Sequence, residues 1–423
     1  MGNEKCWHEA LMRKNELYLS LTKGTHSCFS SLISCFILLF LLIPCLTLAQ
    51  KKELSQARSY IKSGKDYDKA EQLMTKLLQD SVNRGDKRIY QVWYEAVKGQ
   101  YNQANERLYL HQKQDTAAFF ALAKRMFSVA ESLDSLDILP DKKGKVSIEY
   151  RQKHREQLNI YRPNLMGGGT YFVRKEKWSE AYNYLETYID CARQPLFAAY
   201  HYDSTDVRMP EAGYWATYCG YMQHDPILTL RYRQLAVRDT ARAPFALQFI
   251  AEARRWLNDD ELYVMTLEEG FRRFPQFPYF FPRLMDAYSQ WGQYDKALAL
   301  ADSALAVCDT CELYLFSKSS VLLRLQRWEE SITYSDAVIQ INDSLPEPYF
   351  NLGTAYVNMA SALDPRKEKK QYKIYYQKAC QYMEHYRQLM PAEKDKWAPV
   401  LYRIYLNLNM GKQFDEIDRI LKQ

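Results

Sequence analysis

Cys308-Asp-Thr-Cys311 has the spacing of a dithiol redox pair or of half a zinc site. A redox pair needs a βαβ setting that lowers the first thiol's pKa, whereas this one falls in the link between two helical segments. Zinc needs two more ligands, and neither a second cysteine pair nor a nearby histidine supplies them. The spacing therefore fits a local disulfide or two free thiols. Gly167-Gly168-Gly169-Thr170 lacks the Lys-Ser or Lys-Thr of a phosphate loop, and Gly169 stands where close helix packing wants a small residue. His111, His154, His201, His224 and His385 are scattered without a paired helical spacing for metal, and no nucleophile is placed near His201 and Asp203, which share a loop. Asp259-Asp260 reads as a solvated pair where a helix ends, and Glu329-Glu330 as a pair complementing the dipole where one begins. Neither a catalytic constellation nor a metal or cofactor site emerges, and no enzyme is expected. What remains is aromatic: 34 tyrosines, with Tyr214, Tyr218 and Tyr221 at spacings of four and three on one helical face.

The elements that must position these residues repeat. Ala70, Ala104, Ala181, Thr229, Tyr263, Ala297, Ser331 and Ala379 occupy one recurring point, and the steps Ala70 to Ala104, Thr229 to Tyr263, Tyr263 to Ala297 and Ala297 to Ser331 are each 34 residues. A period of that size marks a helix-turn-helix array whose units bury their apolar faces on one another. In the clearest unit, Phe281, Leu284 and Tyr288 lie on one helix ending near Gly292, and Tyr294, Ala297, Ala301 and Ala304 on the next. Tyr349, Leu352, Gly353, Tyr356, the downstream Ala379 and the closing Pro391 resemble the tetratricopeptide-repeat consensus. The resemblance implies an all-α fold, a right-handed α-solenoid of helix-turn-helix repeats, and binding of a protein or peptide.

The pattern departs from regularity in several places. Ala379 and Thr229 each come 48 residues after their predecessors, 14 more than the period, which predicts inserted loops over Asp364 to Lys370 and Arg193 to Pro210. Gly64 and Gly99 are expected to turn the chain before Ala70 and Ala104. Between His111 and Asn164 the register is lost, and a divergent helical pair is expected over Thr116 to Leu133 and Lys145 to Tyr161. A last, weaker copy of the unit runs over Trp397 to Leu401, Gly411, Phe414 and Ile417, with a polar end at Lys422-Gln423 suited to capping the stack.

If the first helices line the concave face, as the register implies, Tyr214, Tyr218 and Tyr221 offer it rigid rings with hydroxyl handles. Packing between repeats is the competing role for each of them. Phe316 and Phe350 occupy equivalent first-helix positions in later units and extend the expected aromatic groove. Chaperone-binding members of the resembled family use asparagine and lysine in a carboxylate clamp. The corresponding positions here hold Tyr218, Glu252, Asp286, Ser320 and Thr354, so chaperone tails are not the expected ligand.

Lys5, Arg13, Lys14 and Lys23 precede the apolar run Cys35 to Leu46, which ends in Thr47-Leu48-Ala49. A basic lead, a short apolar stretch and small residues before Gln50 read as an export signal, with the chain start at Met1 or Met12. An uncleaved anchor over residues 28–49 is the alternative, giving membrane association through that segment. Neither Cys35 nor Cys45 has a good lipidation context. Removing residues 1–49 takes away four basic and three acidic residues, so the net charge falls from +6 to +5, a mixed surface and not a nucleic-acid footprint. The expected organisation is a signal over 1–49, N-terminal repeats over 50–110, the divergent pair over 111–164 and a repeat array over 165–423. The expected function is an exported, periplasmic or envelope-associated scaffold without enzymatic activity that binds a protein or peptide partner. The alternative is an envelope enzyme or carbohydrate-binding protein with its site in residues 111–210.

Overall fold

The structure is a computed structural model that describes residues 50–140 and 144–422; the expected signal or anchor over 1–49 lies outside them. Every regular element described is a helix, and the chain forms two compact units divided between Ala212 and Gly213, within one helix. The first unit contains α1 (residues 50–63), α2 (Tyr67–Leu77), α3 (Lys87–Tyr109), α4 (Thr116–Asp137), α5 (Arg151–Tyr161), α6 (Pro163–Arg174), α7 (Trp178–Asp190) and the one-turn α8 (Tyr202–Thr205). The helix α9 (Met209–Met222) carries the division. The second unit continues with α10 (Pro226–Arg231), α11 (Arg233–Ala236), α12 (Ala243–Trp256), α13 (Asp260–Arg273), α14 (Phe280–Gln290), α15 (Tyr294–Val307), α16 (Glu312–Arg324), α17 (Trp328–Ile341), α18 (Pro346–Ser361), α19 (Lys369–Leu389), α20 (Lys394–Leu408) and α21 (Gly411–Leu421).

Four successive hairpins of the second unit turn in one way. His224, Asn258, Gly292 and Gln326 all have positive φ, each two residues before a second helix, and they are spaced by 34 residues. A left-handed residue after the last helical turn satisfies orphan carbonyls and reverses the chain. Only Gly292 does this without a Cβ penalty, which is why glycine alone is a poor guide to these turns. Aspartates then start two of the second helices: Asp225 accepts from the amides of Ile227 and Leu228 at 2.9 and 3.0 Å, and Asp259 from Leu262 at 3.2 Å. Asp259-Asp260 thus begins α13, and is not the end of the preceding helix.

Of the eight ladder positions, seven are buried, and Tyr263, the bulky one, is half-buried against the core shared by α12 to α15. The small side chains let paired helices approach closely. Gly168 and Gly169 lie inside α6, where an added Cβ would come within 2.7 Å of Tyr184 and of Leu185 on α7. The glycine run is a packing surface.

Three further expectations are corrected. The chain does not turn at Gly99: α3 runs unbroken from Lys87 to Tyr109, and Gly99 is small because the Tyr67 ring lies 2.2 Å from where its Cβ would be. The step from Ala70 to Ala104 therefore does not join equivalent points of two hairpins. In the divergent stretch α4 extends to Asp137 and α5 starts only at Arg151, because Asp137 accepts the amides of Glu149 and Tyr150 at 2.6 and 3.0 Å and fixes the chain before the helix. The two insertions are mostly folded. α18 has 16 residues where α16 has 13, and Ala379 stands ten residues into α19 where Ser331 stands three into α17, so only part of that excess is loop. The segment Arg193 to Pro210 contributes Leu196, Phe197 and Tyr202 to the core.

Candidate binding grooves

The first helices of the second unit place the aromatic residues. Tyr214, Tyr218 and Tyr221 share one face of α9, as their spacing requires, and that face is turned onto α12. The rings of Tyr214 and Tyr218 stack at 6.5 Å, Tyr218 lies 5.5 Å from Phe249, and Tyr221 stacks on Phe249 at 4.6 Å and on Trp256 at 5.5 Å. Tyr214 is 8% exposed and Phe249 7%, whereas Tyr218 and Tyr221 are half-buried. The Arg242 guanidinium lies 5.7 Å from the Tyr214 ring and 5.9 Å from Trp215. These rings hold successive first helices together and leave part of two tyrosines to solvent. Burial raises the Tyr214 phenol above its ordinary pKa, with Tyr218 and Asp239 adding to it against Arg242.

Phe316 belongs to a separate groove. Met285, Asp286, Ser289 and Gln290 of α14, Tyr294 of α15, and Phe316, Ser317, Ser320, Val321 and Arg324 of α16 enclose about 420 Å³. An apolar floor with hydroxyl and amide groups around it can seat one apolar side chain and hydrogen-bond a peptide backbone. Asp286 and Arg324, both exposed, add one charge of each sign. Phe350, one repeat further, half-buried, packs 5.2 Å from Tyr386 of α19. Beside it, Asn351 of α18 donates Nδ2 to Ser319 Oγ at 3.2 Å and to Ser320 Oγ at 3.0 Å, locking α18 to α16. Of the positions compared with the clamp, three have clear roles. Asp286 and Ser320 line the groove, while Glu252 is 7% exposed and accepts from Tyr279 Oη at 2.7 Å and from Arg255 Nε at 2.9 Å.

Residues 111–210 assemble a polar knot that no contiguous motif announces. Arg162, between α5 and α6, is 5% exposed and lies between the Tyr188 and Tyr202 rings at 3.7 and 3.8 Å. It donates Nη1 to Asp206 Oδ2 at 2.5 Å and Nη2 to the Tyr188 carbonyl at 3.0 Å, and Tyr188 Oη donates to the same carboxylate oxygen at 2.6 Å. Burial works to raise the Asp206 carboxyl, but the hydrogen bonds from Tyr188 and Arg162 outweigh it and hold the group below its ordinary range. Both faces of the guanidinium are covered by rings, so the knot fixes the inserted segment instead of opening a site. Burial pushes the neighbouring Cys191 thiol well up, away from nucleophilic chemistry. His201, at φ 51°, and Asp203 stand on this segment.

The cysteines Cys191, Cys219, Cys308, Cys311 and Cys380 are free; Cys308 follows α15 and Cys311 precedes α16. Among the described residues no group of three or more His, Cys, Asp or Glu could hold a metal ion, and no helix is long and apolar enough to cross a membrane.

This geometry defines an all-α helical-repeat protein. Solved structures similar to it include tetratricopeptide-repeat proteins. The C-terminal part of a TPR repeat-containing protein from Cytophaga hutchinsonii is 11% identical, with 59% of this chain and 91% of that one covered at a TM-score of 0.39. MamA from Desulfovibrio magneticus RS-1 is 15% identical over 44% of this chain and 96% of that one, at a TM-score of 0.33. The P58(IPK) TPR domain is 14% identical over 88% and 98%, at a TM-score of 0.25. No family model matches the chain. No curated protein matches it by sequence.

Proposed function

We propose that the chain is a non-enzymatic scaffold of the cell envelope that binds an extended peptide segment of a partner protein along the first helices of its second unit. The observation that carries this is the groove between α14 and α16, where Phe316, Met285 and Val321 offer an apolar floor and Ser289, Gln290, Ser317 and Ser320 surround it with donors and acceptors. The half-exposed rings of Tyr218 and Tyr221 provide a further contact surface, and Tyr214 supports them from the core. Export follows from the basic lead, the apolar run and the small residues before Gln50. N-terminal sequencing of the purified protein is expected to begin at Gln50; a start at Met1 or Met12 replaces the exported form with the anchored one.

The groove is tested by placing a photo-crosslinking amino acid at Ser317 and exposing the full chain to envelope extract. Cross-linked partners are expected with the wild-type groove and at least tenfold fewer with Phe316→Asp combined with Ser320→Arg, at unchanged helicity. Equal capture by the altered groove overturns the proposal. Replacing Tyr214, Tyr218 and Tyr221 together is a poorer test, because Tyr214 is buried and its loss disturbs the packing of α9 on α12.

A further inference from the structure

Among the described residues, one second helix of the array is interrupted. α13 has 14 continuous residues, but its predecessor is broken at Tyr232 into α10, of six residues, and α11, of four. Tyr232 has φ −109° and ψ 20°, outside helical geometry. Gly213 and Gly220 keep this broken helix hard against α9, since an added Cβ would meet the Ala236 amide at 2.9 Å and the Thr229 amide at 2.4 Å. A cleft of about 250 Å³ lies between α11, α12 and α13, lined by none of the residues of the Phe316 groove.

The cleft combines an apolar floor with cationic walls. Val237, Leu247, Ile250 and Leu262 supply the floor, the exposed Met265 adds an apolar group at the rim, and Arg233 and Arg254 line the cleft from α11 and α12. Arg233 uses Nη1 on the Leu230 carbonyl at 3.0 Å and has no other partner among the described residues. Arg254 reaches Asp259 only at 3.5 Å. The acid on the wall, Glu269, is already engaged by Arg273 at 2.8 Å, and Arg273 also donates to the Val237 carbonyl at 3.1 Å. Two guanidiniums thus line the cleft against one carboxylate, which Arg273 already holds, and much of the donor capacity of Arg233 is unspent. A planar fork with free N–H groups matches a carboxylate in two-point fashion, and the floor matches a short aliphatic group attached to it.

We propose that this cleft binds a carboxylate carried on a short aliphatic group. The shared chemistry comes from two sources, a short acyl chain or the C-terminal residue of a peptide ending in an aliphatic side chain. The test is saturation-transfer NMR and calorimetric titration of the full chain at low salt with two probes, hexanoate and N-acetyl-leucine, and with their amides hexanamide and N-acetyl-leucinamide. At least one acid is expected to bind at least tenfold more tightly than its amide, and more weakly as salt is raised, as a charge-directed contact requires. Arg233→Gln and Arg254→Gln are each expected to weaken that binding at least fivefold with an unchanged melting curve. Tighter binding of hexanoate assigns the site to acyl chains, and tighter binding of N-acetyl-leucine assigns it to peptide termini; both support it. Equal affinity for acid and amide, unchanged affinity in both arginine variants, or no binding of either acid overturns the proposal. Because the cleft and the Phe316 groove share no residue, capture of partners by Phe316→Asp with Ser320→Arg reports on the groove alone.

Discussion

Without its guanidinium, Arg162 would leave the Asp206 carboxylate, 12% exposed, with the Tyr188 hydroxyl and the Arg208 amide as its donors. Breaking one half of a buried pair costs about 3 kcal/mol or more, because the other charge stays desolvated. Arg162→Met is therefore expected to lower stability by about that amount, and Arg162→Met with Asp206→Asn by less; chemical denaturation of the four forms of this cycle measures the difference. Two other residues tie stability to pH in opposite senses. Burial pulls His154 down to about 4, against the raising effect of Glu95 and with Lys153 and Lys98 assisting, while its ring packs 4.2 Å from Tyr94. Its folded pKa is below the unfolded one, so the unfolded chain binds the extra proton and stability is lost as pH falls from about 6.5 toward 4. Burial pushes Glu131 up to about 7, and Asp190 adds to the shift. Here the folded state holds the proton, so stability is lost as pH rises from about 4.5 to about 7. Glu131→Gln is expected to stabilise the protein by roughly 1 to 3 kcal/mol at pH 8 and to have little effect at pH 4, read from melting curves at the two pH values. None of these three residues was singled out for such a role by spacing, because burial from several helices produces the effect.

At the scale of the element, the hairpin turns carry a prediction of their own. Gln326 holds φ 61° between α16 and α17, a conformation that costs an L-residue about 1 to 2 kcal/mol and costs glycine nothing sterically. Gln326→Gly is expected to raise stability by about 1 kcal/mol, with the same change at Gly292's equivalent Asn258 giving less because asparagine tolerates this region. A fall in melting temperature for Gln326→Gly would contradict the role given to the turn. Inside the helices glycine has the opposite meaning. Gly168→Val places new atoms against Tyr184 and is expected to cost about 1 to 3 kcal/mol through overpacking, measured by denaturant titration. The same residue type marks a turn at Gly292 and a helix contact at Gly99, and the two are indistinguishable in a linear pattern. The turn expected at Gly99 failed for this reason, while those at Gly64 and Gly292, both at positive φ, stand because α2 and α15 begin shortly after them.

For the molecule as a whole, each unit is built from neighbours packed on neighbours, so its ends need covers. α20 and α21 cover the α18–α19 hairpin with Trp397, Leu401, Ile404, Tyr405 and Ile417, all buried, while most of the outer face of α21 is polar. Ending the chain at Leu389 is expected to expose Tyr376, Met383 and Tyr386, to lower the melting temperature and to increase binding of a hydrophobic dye. An unchanged melting temperature would mean that the terminal pair is not a cap.

The sequence by itself determined that the chain is an all-α repeat array, that one hairpin turns near Gly292 into a helix carrying Tyr294, Ala297, Ala301 and Ala304, and that Tyr214, Tyr218 and Tyr221 share a helical face. Those properties follow from periodicities of 3.6 and 34, which are local and linear. Only the tertiary structure decided that the tyrosine face is turned onto Phe249 and Trp256, that Phe316 lines a groove with Met285 and Arg324, and that the Arg193 to Pro210 insertion is tied in by Arg162 and Asp206. It also decided that a break at Tyr232 leaves Arg233 and Arg254 around an apolar cleft. Each of these depends on which helices are adjacent in space and how closely their backbones approach. A repeat fixes the identity of the neighbour, but the size of the side chains between two particular helices fixes what is buried and what is left open.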